Sequence, residues 1–223
     1  MSTDAHVSHP RILQDRMRDL LGTGDYSDLT ITCKQYSFKV HRAIICPQWH
    51  HFNPPMSDAF KGPGNWVLDL PDDEPVAIYR VLEYLYTEDY TEEGYIAQYD
   101  CPIALQVAWI NIEVYRTAEK YQLSSLMTLA ARKLHRWAGE YRRSVAFLDV
   151  LEKVLYLERV IPQSKLRSLF VKLTADHIHH FIERPQFRKM LNQFEGFQYE
   201  VLMSVVKHKR RQDLAIGNLK TLR

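Results

Sequence analysis

Ser27-Asp28-Leu29-Thr30-Ile31-Thr32-Cys33, and after Lys34-Gln35 the run Tyr36-Ser37-Phe38-Lys39-Val40-His41-Arg42-Ala43-Ile44-Ile45, decides the fold. Leu29, Ile31 and Cys33 alternate with Thr30, Thr32 and Lys34, the pattern of a strand with one face in a core. Tyr36, Phe38 and Val40 alternate in the same way. The connection at Lys34 and Gln35 is short enough for a hairpin. His41 to Cys46 then predicts a short helical turn stopped by Pro47.

Outward from the hairpin, the pattern changes period. On the N-terminal side Ile12, Leu13, Met17, Leu20 and Leu21 share one face of a short helix, with Arg11, Asp15, Arg18 and Asp19 between them and Gly22 and Gly24 at its end. Nothing in the neighbouring sequence obviously covers this stripe, so it is a candidate docking face for the domain itself or for another chain. On the C-terminal side, Pro54 and Pro55 punctuate a loop, and Ser57 to Lys61 are read as a further helical turn. Trp66 to Leu70 reads as a third strand. Asp72 and Asp73 before Pro75 fit a capped helix start with proline in the first turn. Ile78, Val81, Leu82 and Leu85 mark its face. Residues 88–101 read as a polar loop. Val107, Ile110, Val114, Ala118 and Tyr121 predict one helix. Ser124 is placed to cap the next, which carries Leu126, Leu129, Ala130, Lys133, Leu134 and Trp137.

Beyond Ser144 only helical spacing appears. Phe147, Leu148, Leu151, Val154 and Leu155 form one face, and Leu166, Leu169, Phe170 and Leu173 another. Phe187, Met190 and Leu191 form a short third, and Tyr199, Leu202, Met203 and Val206 a fourth. This order predicts an α+β fold followed by an all-helical extension.

Together Ser27-Asp28-Leu29-Thr30-Ile31, Phe38-Lys39-Val40-His41-Arg42, Val67-Leu68-Asp69-Leu70-Pro71-Asp72-Asp73, Leu82-Glu83-Tyr84-Leu85-Tyr86-Thr87 and Val114-Tyr115-Arg116-Thr117-Ala118-Glu119-Lys120-Tyr121 resemble a BTB/POZ domain, in the form common in filamentous fungi. The resemblance divides the chain into an N-terminal segment with an amphipathic helix (1–24), the BTB/POZ-like domain (25–138), a helical extension (139–210) and a tail (211–223). It implies a small sheet of three or more strands wrapped by helices. It also implies protein binding and no catalysis. Some such domains form homodimers through an N-terminal helix, which makes Ile12, Leu13, Met17, Leu20 and Leu21 the expected interface. Others are substrate adaptors for cullin-type ubiquitin ligases, or recruit corepressors and act in transcription or on chromatin. The cullin role is weakened here, because Ala59-Phe60-Lys61-Gly62 has glycine where cullin-binding relatives often carry an acid.

Composition is ordinary for a globular chain. Of 223 residues, 46% are hydrophobic and 25% charged, enough for a sizeable core without metals or disulfides. Cys33, Cys46 and Cys101 form no CxxC and are odd in number, so a reducing compartment, nucleus or cytoplasm, is expected. Met1 to Pro10 lacks the apolar run of a signal peptide, and no stretch nears the ~20 apolar residues of a membrane span.

Candidate chemistry reduces to simpler explanations. Asp28, His41 and Arg42 are the most distinctive polar residues, and a hydrogen-bonded brace of strand and helix start explains them, since an unpaired buried Asp is costly. His177, His179 and His180 lack a completing ligand set for a metal, and His50-His51 diverge. No cofactor is expected. Nine acidic residues against Arg80 crowd residues 69–93, and those at the predicted helix start are read as caps rather than catalytic carboxylates. Phosphate-loop, zinc-protease and nucleophile-elbow patterns are absent, so an enzyme is not expected. Lys207, Lys209, Arg210 and Arg211 form a basic cluster. It is read as helix-end charge or a nuclear-localisation signal rather than as direct nucleic-acid contact.

Overall fold

The computed structural model describes residues 9–49, 66–92, 102–160, 166–194 and 196–220. The expectations for His50-His51, Ser57 to Lys61, Gly62 and Cys101 lie outside those residues, as do the side chains of Ile12 and Arg211. The described residues form a small mixed sheet wrapped by helices, followed by a helical extension. Two compact units result. One comprises residues 1–100 and 110–130; the other comprises 101–109 and 131–223.

The first unit is built on the hairpin. β1 (Leu29–Cys33) pairs antiparallel with β2 (Tyr36–Val40), from Leu29 opposite Val40 to Cys33 opposite Tyr36. Lys34 takes the left-handed region at φ 52° in the two-residue turn. β3 (Trp66–Asp69) lies parallel on the other side of β1, giving the order β2-β1-β3. The strict alternation in β1 buries Leu29, Ile31 and Cys33 and leaves Thr30 and Thr32 half-buried.

α1 spans His9–Thr23, α2 Arg42–Gln48 and α3 Pro75–Thr87. α1 and α2 both pack on α3. Ala77, Ile78, Val81, Leu82, Leu85 and Tyr86 are all buried, and so are Arg80, Glu83 and Thr87, so α3 is enclosed around most of its circumference, as a central helix is. Pro47 does not stop α2. The helix runs one residue past it because Trp49 N–H donates to Ile45 O at 2.9 Å and Gln48 Nε2 to Ile44 O at 2.9 Å, which closes the last turn despite the missing proline N–H. Gln48 also donates to Leu85 O of α3 at 2.8 Å. Pro75 opens α3 as expected. Its capping residue, however, is Glu74, without a side-chain cap, and neither Asp72 nor Asp73 fills that role.

α4 (Ile103–Lys120) and α5 (Ser124–Tyr141) each contribute to both units. Ser124 is the first helical residue of α5 rather than a residue preceding it. In the first unit Ile112, Val114 and Ala118 are buried, and Tyr121 sets its ring edge-on against Trp49 at 4.9 Å.

The second unit is helical: α6 (Val145–Val160), α7 (Leu166–His177), a 3-10 turn at Ile178–His180, α8 (Pro185–Gln193) and α9 (Phe197–Lys220). Its centre is a row of rings. Phe147 stacks on Phe181 at 4.6 Å and on Trp137 at 5.9 Å, and Trp137 stacks on Tyr141 at 5.6 Å. Trp137 Nε1–H donates to Ala104 O at 2.7 Å, so its polar edge is satisfied inside the core. α9 packs on α7 through Phe197 and Val201, both buried. This reverses the expected inner face, because Tyr199 and Leu202 are 63% and 59% exposed.

Candidate interaction surface

α1 is anchored on α3, and its apolar stripe is only partly covered. Leu21 is buried, Met17 and Leu20 are half-buried, and Leu13 is 63% exposed. Gln14 Nε2–H donates to Thr87 O at the end of α3, 3.2 Å away. The helix terminates at Gly24, whose N–H donates to Leu20 O at 3.1 Å. Glycine is required there twice over: φ is +68°, and an added Cβ would stand 2.7 Å from Lys39 Cβ. The apolar stripe of α1 therefore divides. Leu21 belongs to the core of its own domain, and Leu13 faces outward.

Asp28, His41 and Arg42 act as internal braces. Asp28 Oδ1 accepts the Arg42 backbone N–H at 2.8 Å and so caps the first turn of α2. His41 is buried and is bonded elsewhere. Its Nε2 lies 2.7 Å from the Asp25 carbonyl and its Nδ1 2.6 Å from Tyr86 Oη. A carbonyl only accepts, so Nε2 carries a proton, and in the neutral ring Nδ1 then accepts from the tyrosine hydroxyl. Tyr86 Oη also accepts the His41 backbone N–H at 2.9 Å. Burial pushes the Tyr86 hydroxyl up to about 12, which keeps it protonated for this double role. Arg42 places its guanidinium 5.8 Å from the centre of the Trp66 ring.

Two polar clusters were not anticipated. Asp73, buried, accepts from Lys120 Nζ at 2.8 Å and from Tyr121 Oη at 2.6 Å, while its carbonyl accepts from Cys33 Sγ at 3.1 Å. Burial and the Asp73 carboxylate raise the Tyr121 hydroxyl well above the ordinary tyrosine range. The Cys33 thiol is pushed up to about 11 by burial and then by Asp73, so it stays protonated and unreactive at neutral pH. In the second cluster, Arg80 Nη1 meets Glu83 Oε2 at 2.8 Å, both side chains being under 10% exposed. It also donates to Thr91 Oγ1 at 2.6 Å. Thr91 N–H reaches back to Glu83 Oε2 at 3.2 Å. Tyr90 Oη donates to Asn111 Oδ1, and Asn111 Nδ2 to Glu92. For the second cluster the available signal was Arg80 and Glu83 inside an apolar helical run, where charges cannot be buried without partners; Asp73, ahead of the helix, gave no such signal.

The histidines close α7 rather than lining it. His177 is its last residue, and His179 and His180 follow in the 3-10 turn with ring centres 3.9 Å apart. Burial, then the Arg142 guanidinium and neighbouring histidines, lower His177 despite the opposing Asp176 charge. Among the described residues no group of three or more His, Cys, Asp or Glu is placed to hold a metal ion, and no helix is long and apolar enough to cross a membrane. Lys207, Lys209 and Arg210 are exposed on α9.

Comparison with known proteins adds a family. The BTB/POZ domain model matches residues 17–136, from within α1 to within α5. Among solved structures, the BTB domain of zebrafish PATZ1 superposes with a TM-score of 0.41 at 14% sequence identity, covering 58% of this chain and 94% of that one. No curated protein matches.

Proposed function

Because the chain belongs to the BTB/POZ family, whose domains generally mediate protein–protein interaction and oligomerisation, we propose that it is a non-enzymatic protein-binding module that self-associates through α1. The observation that carries this reading is the placement of Leu13. It stands 63% exposed on a helix fixed at its far end by buried Leu21 and, directly beside Leu13, by the Gln14–Thr87 hydrogen bond. A helix anchored this way presents Leu13 in a defined orientation, so little ordering entropy opposes docking.

Leu13→Glu is the sharpest test, since Leu20 and Leu21 also serve the fold. The wild-type chain is expected to be a dimer by multi-angle light scattering at tens of micromolar. The variant is expected to be a monomer with an unchanged melting curve. A wild-type monomer at high micromolar concentration removes the reading. The alternative of a cullin-ligase substrate adaptor has Gly62 against it in the sequence. Intracellular residence belongs to the same proposal, with nuclear entry directed by the cluster Lys207, Lys209, Arg210 and Arg211. Three of these are exposed on α9, as a transport receptor needs. Alanine at all four is expected to move a fluorescently tagged chain from nucleus to cytoplasm. An unaltered distribution retires the nuclear arm, and with it the link to transcription.

A further inference from the structure

We propose that the outward face of α9 is a second docking surface, made for a partner helix that carries apolar side chains beside acidic ones. Successive residues of a helix are offset by about 100°. Phe197 and Val201 face α7 and are buried, and His208 lies on the same side, its Nδ1 3.7 Å from Asp176 of α7. Tyr199, Leu202 and Val206 fall within about 60° of one another on the opposite face. They are 63%, 59% and 37% exposed. Arg210 continues that line one turn further, with Lys207 and Lys209 on either flank, and all three are exposed.

This ridge is held in place. Arg167 Nε on α7 pairs with Glu200 at 3.0 Å near the start of α9, and the His208–Asp176 contact lies two turns later. The helix therefore cannot roll to bury the stripe without breaking both contacts and withdrawing Phe197 and Val201. Three large apolar side chains in a row over about 10 Å match two turns of a partner helix, the mode in which an amphipathic helix is read at i, i+3 and i+7.

Charge selects the occupant. In a parallel pair of two α9 helices, the cations Lys207, Lys209 and Arg210 of each copy would abut. In an antiparallel pair they would face the other copy's N-terminal turn, where Glu200 is already held by Arg167 and the sequence adds one further acid, Glu195. A parallel pairing with a second copy is therefore disfavoured, and an antiparallel one offers at most Glu195 to three cations. Carboxylates on a foreign helix satisfy the three cations at the end of the apolar ridge.

The test uses the full chain and a phage-displayed random 16-residue peptide library, followed by fluorescence anisotropy of the enriched peptides. The expected consensus has apolar residues at helical spacing and net negative charge. Leu202→Glu is expected to weaken those peptides about tenfold or more. Joint replacement of Lys207, Lys209 and Arg210 by Glu is expected to do the same and to reverse the salt dependence. Both variants change exposed side chains, so circular-dichroism melting should match the wild type, and Leu13→Glu in α1 should bind the peptides unchanged. Peptides that bind wild type and Leu202→Glu equally, or a consensus without acidic residues, overturn the proposal. So does a self-associated wild type that Leu202→Glu, but not Leu13→Glu, dissociates, because the face then belongs to a second copy.

Discussion

Arg80→Met is expected to destabilise the chain by about 3–5 kcal/mol, because it strands the Glu83 carboxylate in the core. Both side chains of the pair are nearly inaccessible, at 8% and 5% exposure, and they meet at 2.8 Å. The Coulomb attraction of such a pair is large in a low-dielectric interior but is mostly spent against desolvation, so the intact pair contributes modestly. Removing one member leaves the cost without the attraction. Arg80 also donates to Thr91 Oγ1 at 2.6 Å, and Thr91 binds Glu83 through its own N–H. Loss of Arg80 therefore also loosens the segment that follows α3. The same reasoning predicts that Arg80→Met combined with Glu83→Leu recovers most of the lost stability, since two apolar side chains then fill the volume of two ions. Urea unfolding of the wild type, the single variant and the double variant reads this directly. A double variant as unstable as the single one would show that the cost is packing and not stranded charge.

The hairpin and α3 were legible because their burial is written locally. Strict alternation from Leu29 to Cys33 gives one core face, and the 3.6-residue spacing of Ile78, Val81, Leu82 and Leu85 gives one helix. Asp73 was misread for the opposite reason. An acid just before Pro75 has the local signature of a helix start, but its partners Lys120 and Tyr121 lie 47 and 48 residues further on. Spacing within a window carries no information about a pair that only the folded chain brings together. The same holds for His41, whose ring bonds Tyr86, 45 residues away. Pro47 failed as a stop signal because a helix ending one residue later can close its last turn with the N–H of Trp49 and the side chain of Gln48. Of the expected interaction stripe on α1, the helical face was legible but its division was not. Whether Leu21 points at α3 or at another chain depends on where α3 lies.

α9 is the case where periodicity was present and misleading. The helix carries two apolar sets on opposite faces, Phe197 with Val201 and Tyr199 with Leu202 and Val206, and spacing alone cannot say which is inside. Substitution can. Phe197 is fully buried, so Phe197→Ala is expected to cost about 3–5 kcal/mol through lost burial and the cavity left behind. Phe147→Ala, in the middle of the ring stack with Phe181 at 4.6 Å and Trp137 at 5.9 Å, is expected to cost as much. Tyr199→Ala and Leu202→Ala remove side chains that remain 63% and 59% exposed, and each should stay within about 0.5 kcal/mol of the wild type. Urea denaturation of these four variants separates the two faces by a difference several times the error of the method. If Leu202→Ala cost as much as Phe197→Ala, the outward face would be part of the core and no docking surface would remain on α9. If Leu202→Ala is neutral, its exposed apolar side chain has no role in folding, as a docking surface on α9 requires.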